Sequence, residues 1–181
     1  MMIIPTIIPG CKKIEFTKYT DVRGSLVKIF NKTEFCENDI NPDWEDEYYS
    51  ISNKHVIRGL HLQLPPYAHH KLVCCISGKV LDVVVDLRKN SPTYQKCLKI
   101  ELSADSNFGI YIPQGCAHGI KAVQDNSIIL CKTSCIYKQQ YDVALLWSSC
   151  DVDWELDSNN PILSDRDANA IHIDNFVSPF L

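Results

Sequence analysis

The sequence predicts an all-β fold, a closed barrel or sandwich with a few short helices. Three observations carry that prediction. Short apolar runs recur at close and fairly regular spacing, each is bounded by Gly, Pro, Asn or Asp, and helical patterning is scarce. At 181 residues the chain suits a single domain, 1–181, long enough to bury a real core.

In chain order, the start "MMIIPTIIPG" reads as an early strand. It is apolar, but it lacks the basic leader of a signal peptide and is broken by Pro5 and Pro9. "KTEFCEND" reads as one short helix. His61 lies in a strand-like segment among Leu60, Leu62 and Leu64. "KLVCCISG" and "KVLDVVVDLR" follow as strands joined by Ser77-Gly78, a pair suited to a hairpin turn. In the second of them Val83 and Val85 face one way, with Asp82, Val84 and Asp86 opposite. "KCLKIELS", "FGIYIP", "IKAV" and "SIILCKTSCIY" complete the strand series. "SDRDANAI" reads as a second short helix with Ser164 as N-cap, and the tail from about Ile171 either packs on the barrel or hangs loose.

Hydrophobic residues at 45% and charged residues at 22% are ordinary for a globular protein. A net charge of -4 and a pI near 5.8 argue against a dedicated nucleic-acid binder, yet a local basic patch can still hold one phosphorylated small molecule. No apolar run approaches the roughly 20 residues that span a bilayer, so no membrane partner is expected. The nine cysteines are odd in number and form no C-x-x-C unit, which favours neither a disulfide framework nor a zinc knuckle. Most sit in apolar segments, where Cys packs as a small hydrophobe, and a cytoplasmic location would keep them as thiols.

Four of the six histidines fall between positions 55 and 71, together with Arg58 and Lys71. Metal binding is one reading. Metal-binding cupins, which are double-stranded β-helix (jelly-roll) barrels, offer H-x-H and a nearby Glu, then a later His. Here Gln63 stands where a second imidazole is expected, no Glu follows before Gly78, and only Pro113, Gly115 and His118 match the later P-x-G-x-x-H element. Amide oxygen is a poor substitute for imidazole with first-row metals, so no metal and no cofactor is expected. Proton transfer suits the same residues better. An imidazole with an unperturbed pKa near 6.5 takes a proton at neutral pH, which makes His61 the candidate base. Arg58 and Lys71 are fixed cations able to hold phosphate or an oxyanion.

"DVRG", "VIRGLHLQ", "HKLVCCISGKVLDVVVDLRKNSPTY", "YIPQGCAHGI" and "LSDRD" occur in an order that resembles the dTDP-4-dehydrorhamnose 3,5-epimerase family, over about 16–167. The resemblance implies a cupin-like barrel, a homodimer, no metal, and a nucleotide-diphosphate-linked 4-keto-6-deoxy sugar as substrate. It also implies roles: His61 resembles the catalytic base, Asp167 its carboxylate partner, and Lys71 the lysine that steadies an enolate oxygen. Arg58 lies close to the same region as Lys71, Arg23 and His118 resemble contacts to the diphosphate, and Arg58 and Gln63 count with them as substrate-binding residues.

Departures from the family pattern bear on the reaction. A tyrosine is usual in an "LYK"-like triplet, as the acid serving the opposite ring face, but this chain reads "LCK", with Cys131 in that place. The expectation is therefore inversion at one centre, C3 more than C5, with Cys131 or water completing the transfer. Lys28 replaces a common Glu, Ile136 a frequent aromatic near the nucleobase, and Tyr48 a usual Asn. These changes leave the nucleotide open, and a related 4-keto heptose fits as well as a hexose. Two other readings stand beside the epimerase: a sugar-nucleotide 3,4-ketoisomerase, and a non-catalytic sugar-nucleotide-binding relative.

Overall fold

The computed structural model describes residues 1–156 and 160–181. In order the strands are β1 (Met2–Pro5), β2 (Lys12–Glu15), β3 (Thr17–Asp21), β4 (Gly24–Lys28), β5 (Asp46–Ser52), β6 (Ile57–Gln63) and β7 (Lys71–Ser77). They continue as β8 (Lys79–Asp86), β9 (Cys97–Ser103), β10 (Phe108–Ile112), β11 (Cys116–Ala122), β12 (Ser127–Thr133) and β13 (Asp142–Ala144). Helix α1 (Lys32–Glu37) lies between β4 and β5, and α2 (Asp165–Ala168) follows β13. A six-stranded sheet runs β1-β2-β10-β7-β12-β5, and a five-stranded sheet runs β13-β6-β11-β8-β9. Their strands pair antiparallel, and the two sheets form a jelly-roll barrel of the expected all-β class. Among the described residues, strands β3 and β4 pair only with each other.

Both sheets are covered on both faces, which explains why their central strands are apolar almost throughout. Between the sheets lie Val73, Cys75, Val80, Val84, Ile110, Ile120 and Ile129. Outside the five-stranded sheet, Leu81, Val83 and Val85 pack against Trp154 and Ile173. Outside the six-stranded sheet, Leu72, Cys74 and Tyr111 pack against Phe35 of α1 and Ile40. Each fully buried large aliphatic contributes about 1.5–3 kcal/mol, so three layers of such contacts hold the barrel shut. The division of β8 follows the expected alternation, with Val84 inward and Val83 and Val85 outward.

One local expectation is corrected. Ser77-Gly78 does not close a hairpin, because β7 and β8 belong to different sheets. The chain instead turns a corner at Gly78, whose φ of +70° suits glycine. A Cβ there would lie 2.6 Å from Ser127 Oγ, the hydroxyl that accepts from Lys79 N and donates to Lys79 O. Five of the described strands lie outside the sequence reading, β2, β3, β4, β5 and β13, and of these β3, β4 and β5 are largely exposed. The tail does pack: Ser178 Oγ donates to Leu87 O, and Phe180 O accepts from Lys89 N. Both short helices form where expected, with Asn31 capping α1 and Ser164 capping α2.

Candidate active site

A cleft of about 700 Å³ opens between the two sheets, floored by Ile120 and Ile129 from the barrel core. His61 and His118 enter it from the five-stranded sheet, where they are direct cross-strand partners on β6 and β11. Lys71 on β7 and Cys131 on β12 enter from the six-stranded sheet opposite. Arg58 also faces the cleft, three residues before His61 on the same strand. Strict alternation would send those two side chains to opposite faces. The register instead slips between His118 and Ile120, which pair with His61 and Arg58, and this bulge turns both side chains inward. Gly59 permits it with φ of +123°, at a point where the two strands nearly touch.

The centre of the site is the pair His61 Nε2 and Asp167 Oδ1, 2.6 Å apart. Asp167 is brought there by α2, and Ser164 fixes the first turn by accepting from Asp167 N at 3.1 Å. The preceding segment lies along β6, with Ile57 N donating to Ile162 O. Burial pushes the Asp167 carboxyl up, but the hydrogen bond and charge of His61, aided by Ser164, outweigh it and hold Asp167 below the ordinary carboxylate range. A carboxylate accepts from N–H, so Nε2 carries the ring proton and Nδ1 is the lone-pair nitrogen free to take a proton from carbon.

Cationic side chains share the cleft with that imidazole. Lys71 is 7% exposed and donates from Nζ to His61 O at 3.2 Å; burial pushes its ammonium pKa down. His118 Nε2 meets the fully buried Asp82 Oδ2 at 2.8 Å, a second imidazole–carboxylate pair. Arg58 donates to Ser52 Oγ at 3.0 Å and to Ile51 O at 3.1 Å, which steadies its guanidinium at the cleft edge. Cys131 is buried on the far wall, and its thiol pKa is raised by that burial, against a pull downward from Lys71 and Tyr48.

One expected contact falls outside the cleft, and a second is held by the cleft wall. Arg23 sits on the β3–β4 turn, 86% exposed at its side chain and paired with Asp21 at 2.5 Å, outside the cleft lining of this chain. Gln63 lines the cleft, but its amide is engaged by the wall: Nε2 donates toward Tyr67 O, His69 Nδ1 and Ile136 O, and Oε1 accepts from Lys138 N. These bonds fix the orientation of the Gln63 side chain in the cleft wall.

The cleft also contains groups that the sequence reading did not place. Asp142 and Arg166 pair at 2.7 Å beside α2, and no local pattern links residues so far apart. Tyr137 lines the cleft with about half its surface exposed, one residue after the Ile136 that stands in the aromatic's expected position. His69 lines it too; burial and the neighbouring Lys71 push its pKa down to about 3, leaving a neutral imidazole. Among the described residues no three His, Cys, Asp or Glu side chains are grouped as a metal would require.

A jelly-roll cleft holding an imidazole backed by a buried carboxylate, faced by a lysine, defines an acid–base enzyme of the cupin class, suited to removing hydrogen from carbon beside a forming oxyanion. The model of the dTDP-4-dehydrorhamnose 3,5-epimerase family matches residues 5–175, and the chain belongs to that family of isomerases. It is 39% identical over 171 residues to the dTDP-4-dehydrorhamnose 3,5-epimerase of Shigella flexneri, covering 94% of each chain. Its structure is similar to that of the Legionella pneumophila dTDP-6-deoxy-D-glucose-3,5-epimerase in complex with dTDP-4-keto-L-rhamnose, with a TM-score of 0.94, 30% identity, and 99% and 98% of the two chains covered. It is also similar to a 3'-monoepimerase of Streptomyces bikiniensis in complex with dTDP-quinovose, with a TM-score of 0.87, 26% identity, and 93% and 86% covered.

Proposed function

We propose that this chain epimerises a dTDP-linked 4-keto-6-deoxy sugar at a carbon next to the C4 ketone, C3 first, as a step in deoxysugar biosynthesis. The observation that carries the proposal is the 2.6 Å contact between His61 and Asp167 inside a cleft that also holds Lys71. His61 Nδ1 takes the hydrogen at C3, and the bonding electrons move into the ketone to make an enolate. Asp167 holds the ring and stabilises the imidazolium that forms. Lys71, an ammonium already short of water, offsets the new charge on O4. Returning a proton to C3 from the other ring face restores the ketone and inverts the centre.

Substrate recognition follows from charge. Arg58 and His118 line the cleft and suit the diphosphate, and Tyr137 offers a ring at the cleft mouth for the nucleobase. Arg23 takes part only if a second copy of the chain lays its β3–β4 hairpin over this cleft. The hairpin favours such a homodimer, since Tyr19, Val22 and Leu26 stand 60%, 105% and 63% exposed on it. The chain acts as one domain over 1–181, and its nine free thiols suit the reducing cytoplasm. Among the described residues no helix is long and apolar enough to cross a membrane.

Incubation with a dTDP-4-keto-6-deoxy sugar in heavy water, followed by NMR, tests the proposal. Deuterium at C3 of an inverted product is expected. A carbonyl moved to C3 would mean a ketoisomerase, and bound sugar with no exchange at C3 or C5 would mean a non-catalytic binder.

A further inference from the structure

Inversion needs a proton acceptor on one face of the ring and a donor on the other. The acceptor, His61, belongs to the five-stranded sheet, so a donor on the six-stranded sheet across the cleft is placed to reach the other ring face. That wall presents Asp46, Tyr48 and Ser50 from β5, Lys71 from β7, and Ile129, Cys131 and Thr133 from β12. The alternation along β5 is regular: Asp46, Tyr48 and Ser50 line the cleft, while Tyr49 and Ile51 are exposed on the outside. Tyr48 and Cys131 are direct cross-strand partners, so their side chains stand side by side on the same face.

We propose that Tyr48 is the catalytic acid that protonates the enolate from the face opposite His61, with Cys131 as its positioning neighbour. The two departures at these positions then have one explanation. The phenol absent from 131 is supplied by the adjacent strand, one cross-strand step away, and the smaller thiol leaves room for it. The alternatives on this wall serve less well. Cys131 is 3% exposed on the short side chain of a recessed position, whereas the longer Tyr48 side chain lines the cleft and is half exposed overall. Lys71 is occupied with His61 O and with the charge on O4. Ser50 and Thr133 carry hydroxyls on stems too short to match a phenol's reach. Burial, and then the neighbouring Cys131, raise the Tyr48 pKa, so the phenol carries its proton at neutral pH.

The step balances. The C3–H bond breaks as His61 gains the proton, and its electron pair forms the C3=C4 bond while O4 becomes anionic. O4 then re-forms the C4 ketone, the C3 carbon takes the proton of the Tyr48 O–H, and a phenolate remains. Solvent returns a proton to Tyr48 and removes one from His61, so the net change is isomerisation alone.

The inference rests on the epimerase reading, and its test separates the two. In heavy water, Tyr48→Phe is expected to keep His61-dependent deuterium exchange at C3, because the imidazole can return label from its own face, and to lose inverted product by about 100-fold or more. Cys131→Ala is expected to lower inversion less than tenfold. The double change Tyr48→Phe/Cys131→Tyr is expected to restore part of the inversion by moving the phenol back one strand. If Tyr48→Phe inverts within twofold of the unmodified protein, or loses exchange and inversion equally, Tyr48 is not the acid. If the unmodified protein neither exchanges nor inverts, the epimerase reading falls as well. Should Tyr48→Phe fail to fold, a ring-fluorinated tyrosine at position 48 keeps the shape and lowers the phenol pKa. The alkaline limit of inversion then moves down with it, and an unmoved limit overturns the assignment.

Discussion

At the scale of single residues, the chemistry follows from which groups are left unpaired and which are not. Asp167 can fix the His61 tautomer because it is buried, capped by Ser164, and kept ionised by the imidazole it supports. Asp167→Asn keeps the shape and removes the charge, so kcat is expected to fall roughly 10²- to 10⁴-fold while KM for the sugar nucleotide changes little. Steady-state kinetics decide it, and an unchanged kcat would remove Asp167 from the mechanism. His69 gives a pH signature. Its pKa is lowered from 6.5 to about 3, so between those values the unfolded chain binds a proton there that the folded chain refuses. Stability is therefore full above about 6.5 and declines on acidification toward 3. His69→Gln is expected to lose less stability between pH 7 and pH 4.5 than the unmodified protein, as read from denaturation midpoints; equal losses would contradict a buried neutral imidazole. Much of this was legible in the sequence, because His61, Lys71, Arg58 and His118 sit in short local motifs. Tyr48 was legible only as an oddity, since its value depends on a neighbour 83 positions away in the chain that strand pairing places beside it.

At the scale of elements, one irregularity shapes the site. The bulge in β6 lets Arg58 and His61 share a face, and it depends on Gly59 lying against Gly119. A Cβ on Gly59 would meet Gly119 Cα at 2.6 Å and His118 O at 2.8 Å, both backbone atoms that cannot swing aside. Gly59→Ala is thus expected to cost at least about 2 kcal/mol and to displace His61 and His118 together. Urea denaturation and the exchange rate check this, and a midpoint equal to the unmodified protein's would contradict it. Sequence patterning found most of the strands that bury a face, since burial is what writes an alternating pattern, but it missed the four-residue β2, which buries only Ile14. It misread Ser77-Gly78, because a hairpin and a corner between sheets use the same turn residues and differ only in which strand waits beyond. It passed over β3 and β4, where every residue but Thr17 is exposed and no core-facing alternation exists.

At the scale of the whole molecule, the barrel brings its two sheets to opposite sides of one cleft, which is the geometry that a two-face proton transfer needs. On the proposed homodimer, the exposed β3–β4 hairpin is the surface that a second copy would cover. Leu26→Asp is expected to convert a species of twice the 20.6 kDa chain mass into one of that mass, as read by sedimentation velocity, and to weaken dTDP-sugar binding through the loss of Arg23. A protein that sediments as a monomer before any substitution would contradict the pairing. The most direct measurement of the central claim is deuterium uptake at C3 of a dTDP-4-keto-6-deoxy sugar by His61→Asn in heavy water. The account predicts uptake slowed by roughly 10³-fold or more with dTDP binding preserved. Uptake at the unmodified protein's rate would contradict it.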